Sequence, residues 1–391
     1  MIRLELRYFS LNKILLLILG LWPYQQSTFT RFQFLFFSII LTSGIVFQLT
    51  PLMTSTYTLN FVNKVLSSVS FCTFSSVKCN LFWINIENMK DLLMQLQRVH
   101  NQLKDKNEVA IVEGYNCTAR RCTIVLTIFI ACIPFTFIIS QYWYVIGDLP
   151  KNVSRLRRLP IVTEYFIDQE KYFNLILLHI FAIICTGTIA ILATGTMFIE
   201  YLLHTCGLFK IACYRIEHAI NIHMRQNNIT QKNKIWMTND IVYAVDIHRT
   251  AMKLSTHLTS TIETMMFLLI ANAVTCTTLN MLQIFQIISS KNFEELFLPT
   301  VNIMVILVYM FVGNYIGQLV IDHNSHVFFT AYNVQWYKAP LHVQRMILFL
   351  IQKESKKFTL TVGGLITASM ECFAMLIKAS VSYFTVIYSM Q

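Results

Sequence analysis

Runs free of Asp, Glu, Lys and Arg divide this chain into long apolar blocks. Five of them cover residues 32–63, 122–147, 172–199, 264–290 and 296–321. A helix needs roughly 20 apolar residues to cross the hydrocarbon core of a bilayer, so each block predicts a span. Two further apolar stretches carry isolated charges. Residues 65–86 contain only Lys78, and residues 358–391 contain only Glu371 and Lys378. The pattern predicts an all-α membrane protein with seven transmembrane helices.

The segments between the blocks also show helical spacing. From Ile241, the positions Ala244, Val245, His248 and Met252 share one face. Leu341 to Glu354 follows Pro340 and predicts another helix. We read these as extensions of the spans that pack together below the membrane. Solvated amphipathic linkers are the other reading. The chain has no internal repeat and no low-complexity tract.

Composition agrees with the pattern. Of 391 residues, 55% are hydrophobic and 13% charged, and mean hydropathy is +0.54. Soluble domains carry about 25% charged residues. The net charge of +11 would suggest a nucleic-acid partner in a soluble protein. Here the charges lie in loops, so they report orientation instead. With the N-terminus inside, the inner segments 1–31, 87–121, 200–263 and 322–357 hold 22 of the 31 Lys and Arg residues, and the outer segments hold six. This bias predicts a cytoplasmic N-terminus and an extracellular C-terminus. The outer segment 148–171 carries Asn152-Val-Ser154, a candidate glycosylation acceptor. Residues 14–22 end in Leu21-Trp22-Pro23 rather than at small residues, which predicts a start that is not cleaved.

No motif of an enzyme occurs, and no cofactor is expected. The ten cysteines show no metal-ligand spacing, and His323 with His326 lacks a third partner. Gly363-Gly364 reads as tight packing or a bend within a span. Lys64 and Lys78 sit near the ends of the second span, where the expectation is that they snorkel to an interface. Glu371 and Lys378, seven residues apart, share one helix face toward either water or polar partners in the bundle. Ser369, Ser380, Ser382 and Thr385 punctuate the last span, and Val386 and Met390 lie near its outer end. Such a helix either walls an aqueous path closed by aliphatic side chains or simply packs.

The carboxyl end resembles the insect odorant receptor family. That family's last helix combines a glycine, a serine, a phenylalanine and a lysine before a Ser/Thr-Tyr-Phe run. Gly364, Ser369, Phe373, Lys378, Ser382, Tyr383 and Phe384 occupy those places. Gly313-Asn314 with Tyr332 and Trp336, and Gly20-Leu21-Trp22-Pro23, add two weaker matches. The resemblance implies a heterotetrameric, non-selective cation channel in the plasma membrane of olfactory sensory neurons. A variable subunit binds a small volatile odorant there, and a shared co-receptor completes the pore. It places the co-receptor's hydrophobic gate on Val386, with Met390 next outward and Ser382 and Lys378 along the same helix. It makes residues 341–391 a split seventh helix, with 341–357 cytoplasmic and 358–391 lining the pore. Residues 1–340 would supply spans one to six. The ligand pocket would lie in the outer half of the membrane. Phe71, Phe74, Phe135, Phe137, Tyr142, Tyr172, Phe173 and Asn302 are its candidates here. The chain lacks the co-receptor's long insertion between spans four and five, so it resembles a tuning subunit.

Rival classes fit less well. A gustatory receptor tail ends in a Tyr-to-Gln-Phe motif, whereas Tyr383 is followed by Phe-Thr-Val-Ile-Tyr-Ser-Met. A G-protein-coupled receptor needs the opposite orientation and motifs that do not occur. A transporter predicts an internal repeat.

Overall fold

The computed structural model describes residues 10–54, 58–147, 159, 161–225, 231–291, 293–353, 358–362, 364 and 366–390. Its described helices are α1 (Ser10–Ile18), α2 (Thr28–Leu49), α3 (Leu59–Ile84), α4 (Ile86–Gln102), α5 (Lys106–Gly147), α6 (Phe173–Arg225), α7 (Gln231–Ser290), α8 (Phe297–Asn333), α9 (Leu341–Lys353) and α10 (Met370–Ser389), besides single turns. Six of these, α2, α5, α6, α7, α8 and α10, are long and apolar enough to cross a membrane. The seventh span, α3, is less apolar because it is enclosed by protein. Twelve of its 26 residues are buried, among them Ser67, Ser70, Ser75 and Ser76. Polar side chains are tolerated in a span when they face other helices rather than lipid.

Local chemistry sets the helix starts. Ser27 and Thr30 form a reciprocal capping box at α2. The Thr58 hydroxyl accepts the Phe61 N–H at α3, and the Ser369 hydroxyl accepts the Cys372 N–H at α10. Before α2 the chain turns sharply at Gly20, whose φ is +70°. A Cβ there would lie 2.5 Å from the Thr30 carbonyl oxygen, so the turn requires glycine. The turn seats Leu21 and Trp22 in the core.

Three features differ from the sequence expectation. The first charge-free run is not one span. Its helix ends at Leu49, Pro51 starts a single turn, and the next helix begins at Leu59. Residues without charge had merged the end of one helix with the start of another. The last apolar stretch is likewise not helical throughout. Thr361–Val362 (β1) pairs antiparallel with Ile366–Thr367 (β2), and α10 starts only at Met370. Gly364 sits between the strands with φ +66°, so it marks a hairpin turn rather than helix packing. β-branched residues on both sides favour extended backbone. Finally, Lys78 does not snorkel. It is fully buried, with its ammonium over the Tyr309 ring at 3.9 Å from the centroid.

The extensions are continuous with the spans. At about 1.5 Å per residue, the 53 residues of α6 and the 60 of α7 run well beyond a core of about 30 Å. Below the membrane, Ile241, Ala244 and Ile247 of α7 join Phe209 of α6 and Val343, Ile347 and Leu350 of α9 in the main core. His248 Nε2 and Asn324 Oδ1, 2.9 Å apart, tie α7 to α8. Arg215 holds Glu108 through two bonds, at 2.5 and 2.9 Å, fixing α6 to the start of α5. The packing predicted for the inner segments is present, and α6 is its centre. It contacts α1, α2, α3, α5, α7 and α8.

Candidate functional site

Near the Lys64 end of α3 the bundle opens into a cavity of about 770 Å³, its mouth included. Six helices contribute. α2 gives Gln48, α3 gives Lys64 to Cys72, α5 gives Ile133 and Phe137, α6 gives Ile180 to Ile184, α7 gives Gln283, and α8 gives Phe297 to Asn302. Ile161 and Val162, from the segment before α6, cover one side. The walls are mostly apolar, with a few amide and hydroxyl groups, the composition that suits a small, weakly polar ligand.

The polar groups are held in place by one another. The Ser67 hydroxyl donates to Gln283 Oε1. The Ser68 hydroxyl donates to Gln48 Oε1 at 2.8 Å, and Gln48 Nε2 donates to the Cys72 thiol at 3.2 Å. Asn302 Nδ2 donates to Asn280 Oδ1 at 3.3 Å. Lys64 pairs with Glu295, both partly exposed. These bonds cross between α3 and α7, between α2 and α3, and between α7 and α8. Rotating any one of these helices changes the cavity's polar surface.

The covering segment is fastened to α2 and α6. Tyr165 stacks on Phe47, with centroids 4.4 Å apart. Its hydroxyl lies 2.7 Å from His179 Nδ1, and His179 Nε2 lies 3.0 Å from the Ser43 hydroxyl. Burial pushes the Tyr165 phenol up to about 12, so it keeps its proton. The Glu164 N–H donates to the Phe47 carbonyl.

Of the candidate ligand residues, Phe71, Phe137 and Asn302 line this cavity. Phe137 is buried in a small cluster with Ile176 and Ile180. Phe74 lies elsewhere, in the core, edge-on to Tyr309 at 5.1 Å. Phe135 points outward from α5, and Tyr172 is partly exposed beside Lys171. Phe173 is half-buried at the start of α6. The Tyr142 side chain and Asn152 lie outside the described residues. Sequence reasoning missed Gln48, Ser67 and Gln283. A glutamine within an uncharged span was the available signal, because such side chains turn toward the bundle interior.

The second candidate feature is α10. Only Cys372, Leu376 and Ser380 are buried, a single stripe at four-residue spacing. It rests against α7 and α8. Val386, Met390, Ser382, Lys378 and Tyr383 are all exposed in the single chain. Glu371 and Lys378 are exposed as well. The helix start is anchored to α8, where Asn314 Oδ1 accepts the Ser369 N–H at 3.3 Å. Two motif residues from distant parts of the chain thereby meet.

Comparison with known proteins supplies an independent finding. A family model described as the 7tm odorant receptor matches residues 58–381. Among solved structures, the insect olfactory receptor OR5 from Machilis hrabei matches with a TM-score of 0.75 and 15% identity, over 100% of both chains. The same receptor in complex with eugenol matches with a TM-score of 0.70 and 16% identity, over 99% of this chain and 100% of that one. At such identities the likeness is one of fold. No curated protein sequence matches.

Proposed function

This chain belongs to the 7tm odorant receptor family, and on that premise we propose that it is the ligand-tuning subunit of an odorant-gated, non-selective cation channel. The cavity shared by α2, α3, α5, α6, α7 and α8 takes a small volatile odorant. The co-receptor supplies the remaining subunits of a heterotetramer in the plasma membrane of olfactory sensory neurons, with this chain's N-terminus cytoplasmic. The observation that carries the reading is the pairing of an apolar, amide-edged cavity with a last helix that stays largely uncovered in the single chain. That a receptor of the same fold is found in complex with eugenol supports a ligand of this size.

The mechanism follows from differential affinity. A ligand shifts an equilibrium only if it binds one state better. The odorant packs against Phe71 and Phe137 and competes for the amides of Gln283 and Asn302. It favours the arrangement of α7 and α8 that best encloses it. Both helices carry α10, so their movement is passed to Val386 and Met390, which retract from the axis and let the pore wet. Ser382 and Lys378 face the conduit below.

Co-expression with an insect co-receptor, followed by a panel of volatiles read as membrane current, tests this reading. Evoked current with at least one volatile class is expected. In Phe137→Ala the dose–response should move to higher concentration by about tenfold, since a missing aromatic contact is worth on the order of 1–3 kcal/mol of discrimination. Silence across the panel at normal surface expression would overturn it.

A further inference from the structure

Lys78 has no pairing carboxylate among the described residues. Its ammonium has three N–H donors. One is used, toward the Ile191 carbonyl at 3.2 Å, and the Tyr309 ring lies beneath it at 3.9 Å. A lone cation enclosed in a transmembrane bundle is costly unless something neutralises it.

Beside it lies a second, larger cavity, separate from the outer one. This crevice of about 1010 Å³, its mouth included, runs between α5, α6, α7 and α8, and the β1–β2 hairpin contributes Leu360 and Val362. Among the described residues its lining is almost wholly apolar and contains no charged side chain. α5 and α8 are joined at their cytoplasmic ends, where the Tyr115 hydroxyl and His323 Nε2 lie 2.6 Å apart. Phe129 and Gly313, at the crevice edge, are exposed in the single chain.

Three groups around the lysine belong to the crevice wall: Ile191, Gly195 and Tyr309. Lys78 itself is fully buried and lies just behind this wall, close against Gly195, where a Cβ would sit only 3.2 Å from its nitrogen, so a ligand oxygen reaches the ammonium when the Tyr309 ring swings aside. We propose that the crevice is a second ligand site, for a medium-chain carboxylic acid, with its carboxylate on Lys78 and its chain along the apolar walls. The acid's negative charge supplies the counter-ion that no described residue provides, and its oxygens accept the two idle N–H groups. The chain end would lie toward the bilayer side, near Phe129. Because the hairpin leading into α10 forms part of the wall, occupancy would bear on the start of that helix. This site is independent of the outer cavity and of the odorant reading.

The test is equilibrium binding of tritiated decanoic acid to the full chain in lipid nanodiscs. Saturable binding is expected, with methyl decanoate competing at least about tenfold less well, since the ester lacks the charge. Lys78→Met keeps most of the side chain's length and removes its donors. Replacing a buried ion by an apolar group of similar volume is usually tolerated by the fold. That variant should bind decanoic acid at least about tenfold more weakly, the factor expected for losing a charged hydrogen bond. Gly313→Phe should abolish binding, because a Cβ there meets nothing within 4 Å and the ring can enter the crevice. Equal competition by the ester, wild-type affinity in Lys78→Met, or the absence of saturable binding would each overturn the proposal. The ester comparison uses the unmodified chain, so it decides even if a variant fails to fold.

Discussion

Helices α6 and α10 are both apolar enough to cross a membrane, yet the chain treats them in opposite ways. Half of the most apolar stretch of α6 is buried within the single chain, against 17% for α10. α6 packs against α1, α2, α3 and α5, meets α4 where His204 lies beside His100, and also contacts α7 and α8, whereas α10 is held by one stripe against α7 and α8. A span that serves stability is enclosed by its own fold. A span left bare, with Ser382, Thr385 and Lys378 interspersed among apolar residues, is out of place against lipid alone. The contrast teaches that substitutions in the two helices should separate stability from conduction.

The sharpest way to break the contrast is in α6. Phe209 is fully buried against His248 and Phe358. Phe209→Ala should cost about 3–5 kcal/mol and lower surface abundance several-fold, read by thermal unfolding and surface labelling. Next comes the Arg215–Glu108 pair, which ties α6 to α5 with Glu108 buried. Arg215→Met leaves that carboxylate unpaired and should cost about 3 kcal/mol in the same thermal assay. A smaller effect is expected where scaffold and last helix meet. A Cβ on Gly317 of α8 would lie 2.5 Å from the Ala368 Cβ, immediately before α10. Gly317→Val should cost about 1–3 kcal/mol by overpacking and shift the ligand dose–response as the start of α10 moves. The smallest stability effect is expected at Val386, which is 52% exposed. Val386→Ala should change unfolding by no more than about 0.5 kcal/mol while altering basal or evoked current. A large stability loss there, with unchanged current, would erase the distinction between the two helices.

Much of the fold was legible because lipid imposes a simple rule. Spans facing lipid must be apolar, so α2, α5, α6, α7 and α8 stand out by their lack of charge. The inner helices were readable from the spacing of Ala244, His248 and Met252, and from Leu341 after Pro340. α3 and the residues before α10 were harder. Lys78 looked terminal because linear distance to a helix end was the only available guide. Its true surroundings, Tyr309 and the bare Gly195, come from helices more than 100 residues away. Charge counting also cannot distinguish a span from a hairpin, so Thr361 to Thr367 merged with α10. At the outer cavity the aromatic candidates Phe71 and Phe137 were within reach of the family resemblance. Gln48, Ser67 and Gln283 were not, because their importance lies in bonds between helices.

The central claim is that α10 walls a conduit whose outer end is narrowed by Val386 and opened by a ligand in the outer cavity. Substituted-cysteine accessibility tests it most directly. The receptor carrying Val386→Cys, paired with a co-receptor, is exposed from outside to a charged thiol reagent while current is recorded. The account predicts that the reagent changes the current, and does so faster while an activating odorant is present, with no such effect in the unsubstituted chain. A current that is indifferent to the reagent in both states, despite normal surface expression and a normal odorant response, would contradict it.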